Sequence, residues 1–242
     1  PKGDLGRIGV AIAQSNPDIV YAKVEAEKNL LYRSDNGGAS WSVINSNPKF
    51  TNNRPFYFQD LAVDTQDENR LYNIYQPLSV SYDGGKTFDT TPMIPADETK
   101  GIHADFHAIW INPNDPQHFI IGGDGGLGIT QDHGKSWYFP ETIPVAQFYH
   151  INVDYDTPFN VYGGMQDNGN WSGPAYTWKR GGIRTLYWQY LVGGDGFYIS
   201  PDKENSRFGY GTSQNGDLYR YDKLTGYYQS IAPQPISIKK TL

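Results

Sequence analysis

Three octets decide the fold: Ser34 to Trp41, S-D-N-G-G-A-S-W; Ser81 to Phe88, S-Y-D-G-G-K-T-F; and Thr130 to Trp137, T-Q-D-H-G-K-S-W. Their starts are 47 and 49 residues apart. Each carries Ser or Thr first, Asp or Asn two places on, Gly four on, Ser or Thr six on and an aromatic seven on. The third residue (Asn36, Asp83, Asp132) is placed to bond nearby backbone N–H groups and fix a turn. The glycine (Gly38, Gly85, Gly134) supplies a positive-φ position. The closing aromatic (Trp41, Phe88, Trp137) is expected to bury itself as the next strand begins.

A second landmark lies upstream of each octet and continues where the octets fade. Tyr21, Tyr72, Phe119, Val161 and Phe208 each sit in a strand-like run after a polar turn, 51, 47, 42 and 47 residues apart. Another strand precedes each: Ile8–Ala13, Phe58–Asp64, Phe106–Asn112, Phe148–Asp154 and Phe197–Ser200. Four short strands in about 47 residues is the size of one propeller blade. The expected fold is therefore all-β, a β-propeller with about five blades over residues 1–52, 53–101, 102–144, 145–190 and 191–242. The fourth unit has no octet, and the fifth has only the degenerate turn Tyr221 to Gly226.

Composition agrees. The 242 residues include 27 Gly, 16 Pro, 19 Tyr and 6 Trp, which suits strands and turns rather than helices. The net charge of −6 argues against nucleic-acid binding. No apolar stretch approaches the roughly 18 residues of a membrane span. With no cysteine, disulfides, thiolate nucleophiles and Cys-ligated zinc are excluded. No signal-peptide pattern stands at Pro1, and the start Pro-Lys-Gly-Asp suggests a processed chain or a fragment.

The octets resemble the Asp-box, or bacterial neuraminidase repeat, of sialidases, xyloglucanase-type glycoside hydrolases and sortilin-type receptors. The wider text resembles exported bacterial sortilin-like or glycosyl-hydrolase-like repeat proteins. That likeness rests on Gly6 to Ala11, His103 to His107, Gly122 to Gly126, Gln147 to His150, Gln166 to Gly169 and Gly193 to Gly196. It implies a secreted, periplasmic or cell-surface protein. Five units fall short of the seven or more blades usual in those relatives, so the expectation is part of a larger or tandem propeller. Further blades or a second chain would then cover its open apolar faces.

Turns between second and third strands share one blade end with the links between blades, away from the octets. In the enzymes resembled, the cleft lies on that end. Asp124, Asp167 and Asp195 emerge there from glycine-flanked turns, as candidate catalytic carboxylates of a glycoside hydrolase. Asp-Gly is equally ordinary turn chemistry. His103, Asp105 and His107 would share one face of a strand, as a metal site, an acid–base group or a hydrogen-bonded plug. No metal is assigned and no cofactor is called for, although calcium is an option for clustered acids. Gln147, Tyr149, His150, Asn168, Trp171 and Arg184 complete the ligand-binding set, with Arg184 placed on a link and suited to a sugar carboxylate. Tyr149 and His150 could serve a lyase as base and acid. Sialidase is the weaker enzyme reading, because only eight arginines occur and no Phe-Arg-Ile-Pro motif is present. Two functions stay open: a propeller that binds and hydrolyses glycans, or a non-catalytic sortilin-like propeller that holds a peptide or protein.

Overall fold

A computed structural model describes residues 3–52, 54–89, 94, 102–140, 143 and 145–233. The described chain is almost wholly β and divides into two compact units, residues 1–140 and 141–242.

Unit 1 holds three antiparallel sheets. The first runs β1 (Ile8–Ile12), β2 (Val20–Val24), β3 (Leu30–Ser34) and β4 (Ser42–Asn45), in that spatial order. A one-turn helix α1 (Pro48–Thr51) follows, with Pro48 at its start and the Asn47 side chain accepting from the Lys49 N–H, a normal helix entry. The second sheet runs β5 (Leu61–Val63), β6 (Leu71–Ile74) and β7 (Leu78–Ser81). The third runs β8 (Phe106–Ile111), β9 (Phe119–Gly123) and β10 (Gly126–Thr130). Their fourth strands shrink to single bridges, Val80 with Asp89 and Ile129 with Tyr138.

Unit 2 holds two complete sheets. One is β11 (His150–Val153), β12 (Asn160–Met165), β13 (Gly169–Pro174) and β14 (Gln189–Val192). The other is β15 (Ile199–Pro201), β16 (Phe208–Thr212), β17 (Leu218–Asp222) and β18 (Tyr227–Ser230). Every sheet thus has the sequential up-and-down order of a propeller blade.

Within each unit, apolar side chains lock consecutive sheets together. Tyr21, Leu31, Phe50, Val63, Leu71 and Phe88 form one core between the first and second sheets. Tyr72, Ile74, Leu78, Phe106, Phe119 and Ile121 form another between the second and third. In unit 2 the core is Tyr162, Leu191, Val192, Ile199 and Tyr221. Burial of such side chains contributes roughly 1.5–3 kcal/mol each. Backbones also approach closely: a Cβ on Gly9 of β1 would sit 1.8 Å from the Gln59 carbonyl oxygen, so only glycine fits there.

The three octets fold alike. Ser34, Ser81 and Thr130 donate their hydroxyls to Asn36, Asp83 and Asp132, at 2.9, 2.8 and 2.9 Å. The same hydroxyls accept the N–H of Gly38, Gly85 and Gly134 at 2.8–2.9 Å. The acid or amide then accepts the N–H of Ser40, Thr87 or Ser136 at 2.8–2.9 Å. The fourth and fifth residues of each octet have positive φ, from 59° at His133 to 92° at Gly38. The fourth residue's N–H (Gly37, Gly84, His133) bonds the carbonyl of Asp18, Asn69 or Gln117 in the turn between the first and second strands. Both turns therefore share one blade end.

Burial of the closing aromatics differs from expectation at one position. Phe88 is buried against Phe50 at 5.0 Å, and Trp137 is half-buried against Phe119 at 5.4 Å. Trp41 is 42% exposed. The cause is packing order: Phe88 and Trp137 each join the core made with the preceding sheet of unit 1. Trp41 belongs to the first sheet of that unit.

Candidate functional site

In unit 1 the end opposite the octet turns gathers His103, Asp105, His107 and Asp124. The strand expected to align His103, Asp105 and His107 starts only at Phe106, and Asp105 has a φ of 67°. Asp105 clamps backbone instead. Its N–H bonds the Gln76 carbonyl at 3.1 Å, and its own carbonyl accepts the Asp124 N–H at 3.1 Å. The shared-face expectation is thereby corrected. His107 is displaced for a further reason: β8 and β9 pair Phe106 with Gly123 and Ala108 with Gly122, so His107 is the extra residue of a bulge. Bulges re-aim side chains. The His107 ring stacks on Phe58 at 5.1 Å and meets Tyr57 edge-on at 4.8 Å. Its Nε2 lies 3.1 Å from Asp124 Oδ1, with both side chains partly exposed. His103 Nδ1 lies 3.0 Å from the Ala104 carbonyl oxygen.

In unit 2 the corresponding end carries the β12–β13 turn and the β14–β15 link. Asp167 has a φ of 60°. Its N–H donates to Asp195 Oδ1 at 2.9 Å, and the Asp195 N–H donates to Gln214 Oε1 at 2.7 Å. One oxygen of the Asp195 carboxylate is thus used in holding the Asp167 turn. Tyr149 and Phe197, both exposed, stack at 5.1 Å with only 12° between their planes. The Tyr149 hydroxyl donates to Gln166 Oε1 in a short hydrogen bond. Asn168 Nδ2 donates to the Gln166 carbonyl at 2.9 Å, and the Trp171 indole N–H to the Asn168 carbonyl at 2.6 Å. Trp171 lies in β13, half-buried and edge-on to Tyr190. Gln147 is exposed, and His150 opens β11 edge-on to Tyr198 at 5.9 Å.

Arg184 is not on a link. Strand β14 begins at Gln189, so residues 175–188 join the third strand of the blade to the fourth. Arg184 therefore lies on the end opposite Asp167 and Asp195. Without an octet, nothing in residues 170–187 marks where the fourth strand starts.

Two features of unit 1 escaped the sequence reading. Lys23 of β2 is 2% exposed and donates to Asn73 Oδ1 at 2.8 Å. Burial pulls its ammonium down to about 8 against the opposing pull of Asp60. Its signal was a cation inside the apolar run Val20 to Val24. The second is an open cavity of about 480 Å³ at the β2–β3 turn, lined in part by Glu25, Glu27, Asn29 and Asn52.

No protein-family model matches the chain, and no curated protein sequence matches it either. Among solved structures it is similar to a GH74 enzyme of Niastella koreensis, with 15% identity over 92% of this chain and 37% of that one, at a TM-score of 0.45. It is similar to the GH74 xyloglucanase of Xanthomonas campestris, with 16% identity over 96% of this chain and 41% of that one, at 0.28. It is also similar to YCF48 from Cyanidioschyzon merolae, with 15% identity over 92% of this chain and 70% of that one, at 0.38. The chain thus spans well under half the length of these two GH74 proteins.

Proposed function

We propose that the chain is part of a secreted, periplasmic or cell-surface Asp-box propeller that binds a glycan at the blade ends carrying the turns between second and third strands. The observation that carries this reading is the exposed Tyr149–Phe197 stack, with the Tyr149 hydroxyl fixed by Gln166 and with Asp167 and Asp195 at the adjoining turns. Aromatic rings take the apolar C–H face of a sugar, and nearby amides and carboxylates take its hydroxyls. The matching bond pattern of the three octets supports the Asp-box part of the proposal. The exposed Trp41 and Val43 on the first sheet support a further blade or second chain covering that face.

Hydrolysis rests on the His107–Asp124 contact of unit 1, since an imidazole beside a carboxylate is an acid–base couple. The competing reading, a sortilin-like propeller holding a peptide or protein without chemistry, is favoured by the Asp195 carboxylate bonding the Asp167 turn. A glycan-array and hydrolysis screen on the intact protein separates them. Glycan capture that falls at least about tenfold in Tyr149→Ala, with unchanged melting, supports the proposal. Turnover that disappears in Asp124→Asn while binding persists adds hydrolysis. Capture of peptides but of no glycan overturns the glycan reading.

A further inference from the structure

The connection between β13 and β14 differs from the octet turns in charge as well as shape. From Asn168 to Gly194 the chain has no Asp or Glu, yet it carries Lys179, Arg180 and Arg184 within an acidic protein. Among the described residues none of the three forms an ion pair. Trp178, beside them, is 89% exposed, more than any other large hydrophobic side chain described. Tyr176 meets its ring edge-on at 4.8 Å, and Lys179 Nζ sits 5.1 Å from the centre of the Tyr187 ring. Single exposed apolar residues need no explanation, but an indole set among unpaired cations has the chemistry of a recognition surface.

We propose that residues 176–187 bind an acidic glycan, a uronate-containing oligosaccharide, on the blade end opposite the Tyr149–Phe197 stack. A sugar ring stacks on the Trp178 face left open beside Tyr176. The ring carboxylate takes the planar fork of Arg180 or Arg184, which matches it in two parallel hydrogen bonds. A peptide added as a further strand is disfavoured, and an acidic peptide held by the arginines is the competing ligand, represented by polyglutamate. This connection offers only the 3-10 turn Thr185–Tyr187. A nucleic acid is disfavoured because three cations neutralise few phosphates in a chain of net charge −6. This inference does not depend on the function proposed above, since it uses other residues on the other end.

Calorimetric titration of the intact protein with tetragalacturonate, and with the same oligomer methyl-esterified, tests it. The acidic oligomer should bind at least about tenfold more tightly than the ester, and less tightly as salt rises. Trp178→Ala and the double variant Arg180→Gln/Arg184→Gln should each weaken binding about tenfold or more, and Lys28→Gln, at an exposed cation of unit 1, should not. All these side chains are exposed, so an unchanged melting temperature certifies the fold of each variant. Equal binding of the ester, no binding of the acid, or an unaffected Trp178→Ala variant overturns the proposal. So does tighter binding of polyglutamate or of a single-stranded DNA oligomer.

Discussion

Two kinds of segment in this molecule join a third strand to a fourth, and they use their polar atoms in opposite ways. The octet turns after β3, β7 and β10 direct hydroxyls, carboxylates and amides inward, onto their own backbone. The 175–188 connection of unit 2 turns an indole and three cations outward. In two of the three octet sheets the difference goes with where the blade gets its closure; the first sheet has both an octet and a paired β4. In the second and third sheets the fourth strand is a single bridge, so the turn itself holds the blade shut. In the fourth sheet β14 pairs with β13 and buries Leu191 and Val192, which anchors the return without a tight turn. A connection freed from holding the blade can carry recognition chemistry.

The largest effect should come from the aromatic that ends an octet. Phe88→Ala opens the core between the first two sheets and should cost about 3–5 kcal/mol in denaturant unfolding. Trp41→Ala, at the same octet position but 42% exposed, should cost less than half as much. Equal losses would break the claim that these aromatics act by packing on the preceding sheet.

Glycine comes next. Gly85 has a φ of 86°, and a Cβ there would lie 2.8 Å from Ile44 Cδ1 and 2.9 Å from Leu31 Cδ2. Gly85→Ala should cost about 3 kcal/mol, from left-handed strain plus displaced neighbours. Gly182, in the connection, has a φ of 72° with open space around it. Gly182→Ala should cost only the strain, about 1 kcal/mol. Thermal unfolding of the pair measures the gap directly, and a Gly182 variant as unstable as the Gly85 variant would refute the distinction.

That contrast also marks what the sequence could tell. The strands were legible because polar turns and apolar runs recur at blade spacing, and the octets because four of their five recurring positions form turn hydrogen bonds and the fifth is an aromatic ring that packs. Legibility failed where one residue changes the geometry. Nothing in His103 to His107 announces that His107 is a bulge or that Asp105 takes positive φ, so a shared strand face was the natural expectation. Asn170 to Tyr187 gives no periodic cue to where β14 begins, so the sequence places Arg184 on the wrong end. Lys23 drew no expectation, although it stands as a cation in a strand buried along its whole length.

Acid should discriminate the two segments more gently. Bonds from the Ser136 hydroxyl and N–H hold the Asp132 carboxyl down at about 2. Slight burial pushes Asp83 up, but bonds from Thr87 and Ser81 outweigh it and keep that carboxyl low as well. A folded-state value below the unfolded one means stability that is present above the unfolded value of about 4 and lost as pH falls through about 2. Melting of the wild type should therefore drop across that window. Asp132→Asn should drop less, since Asn36 makes the same backbone bond with an amide. An identical acid profile for the two proteins would detach the octet from this account.

The smallest expected effect is on the stability of a Trp178→Ala variant. A tryptophan usually resists truncation because it buries a large area, and removing a buried one costs about 3–5 kcal/mol. Trp178 is 89% exposed, so little of that area is withdrawn from water in the folded chain. Its one ring contact, the edge of Tyr176 at 4.8 Å, is itself at the surface, where such a pair adds about 0.5–1.5 kcal/mol at most and less when wet. Truncation should change stability by no more than about 0.5 kcal/mol, the range of ordinary surface substitutions. Phe88→Ala, made in an octet, supplies the contrasting scale in the same assay. A Trp178 variant that loses several kcal/mol would mean that the indole packs against something in solution. The 175–188 connection would then be a structural closure like the octets, and the contrast between the two kinds of segment would collapse.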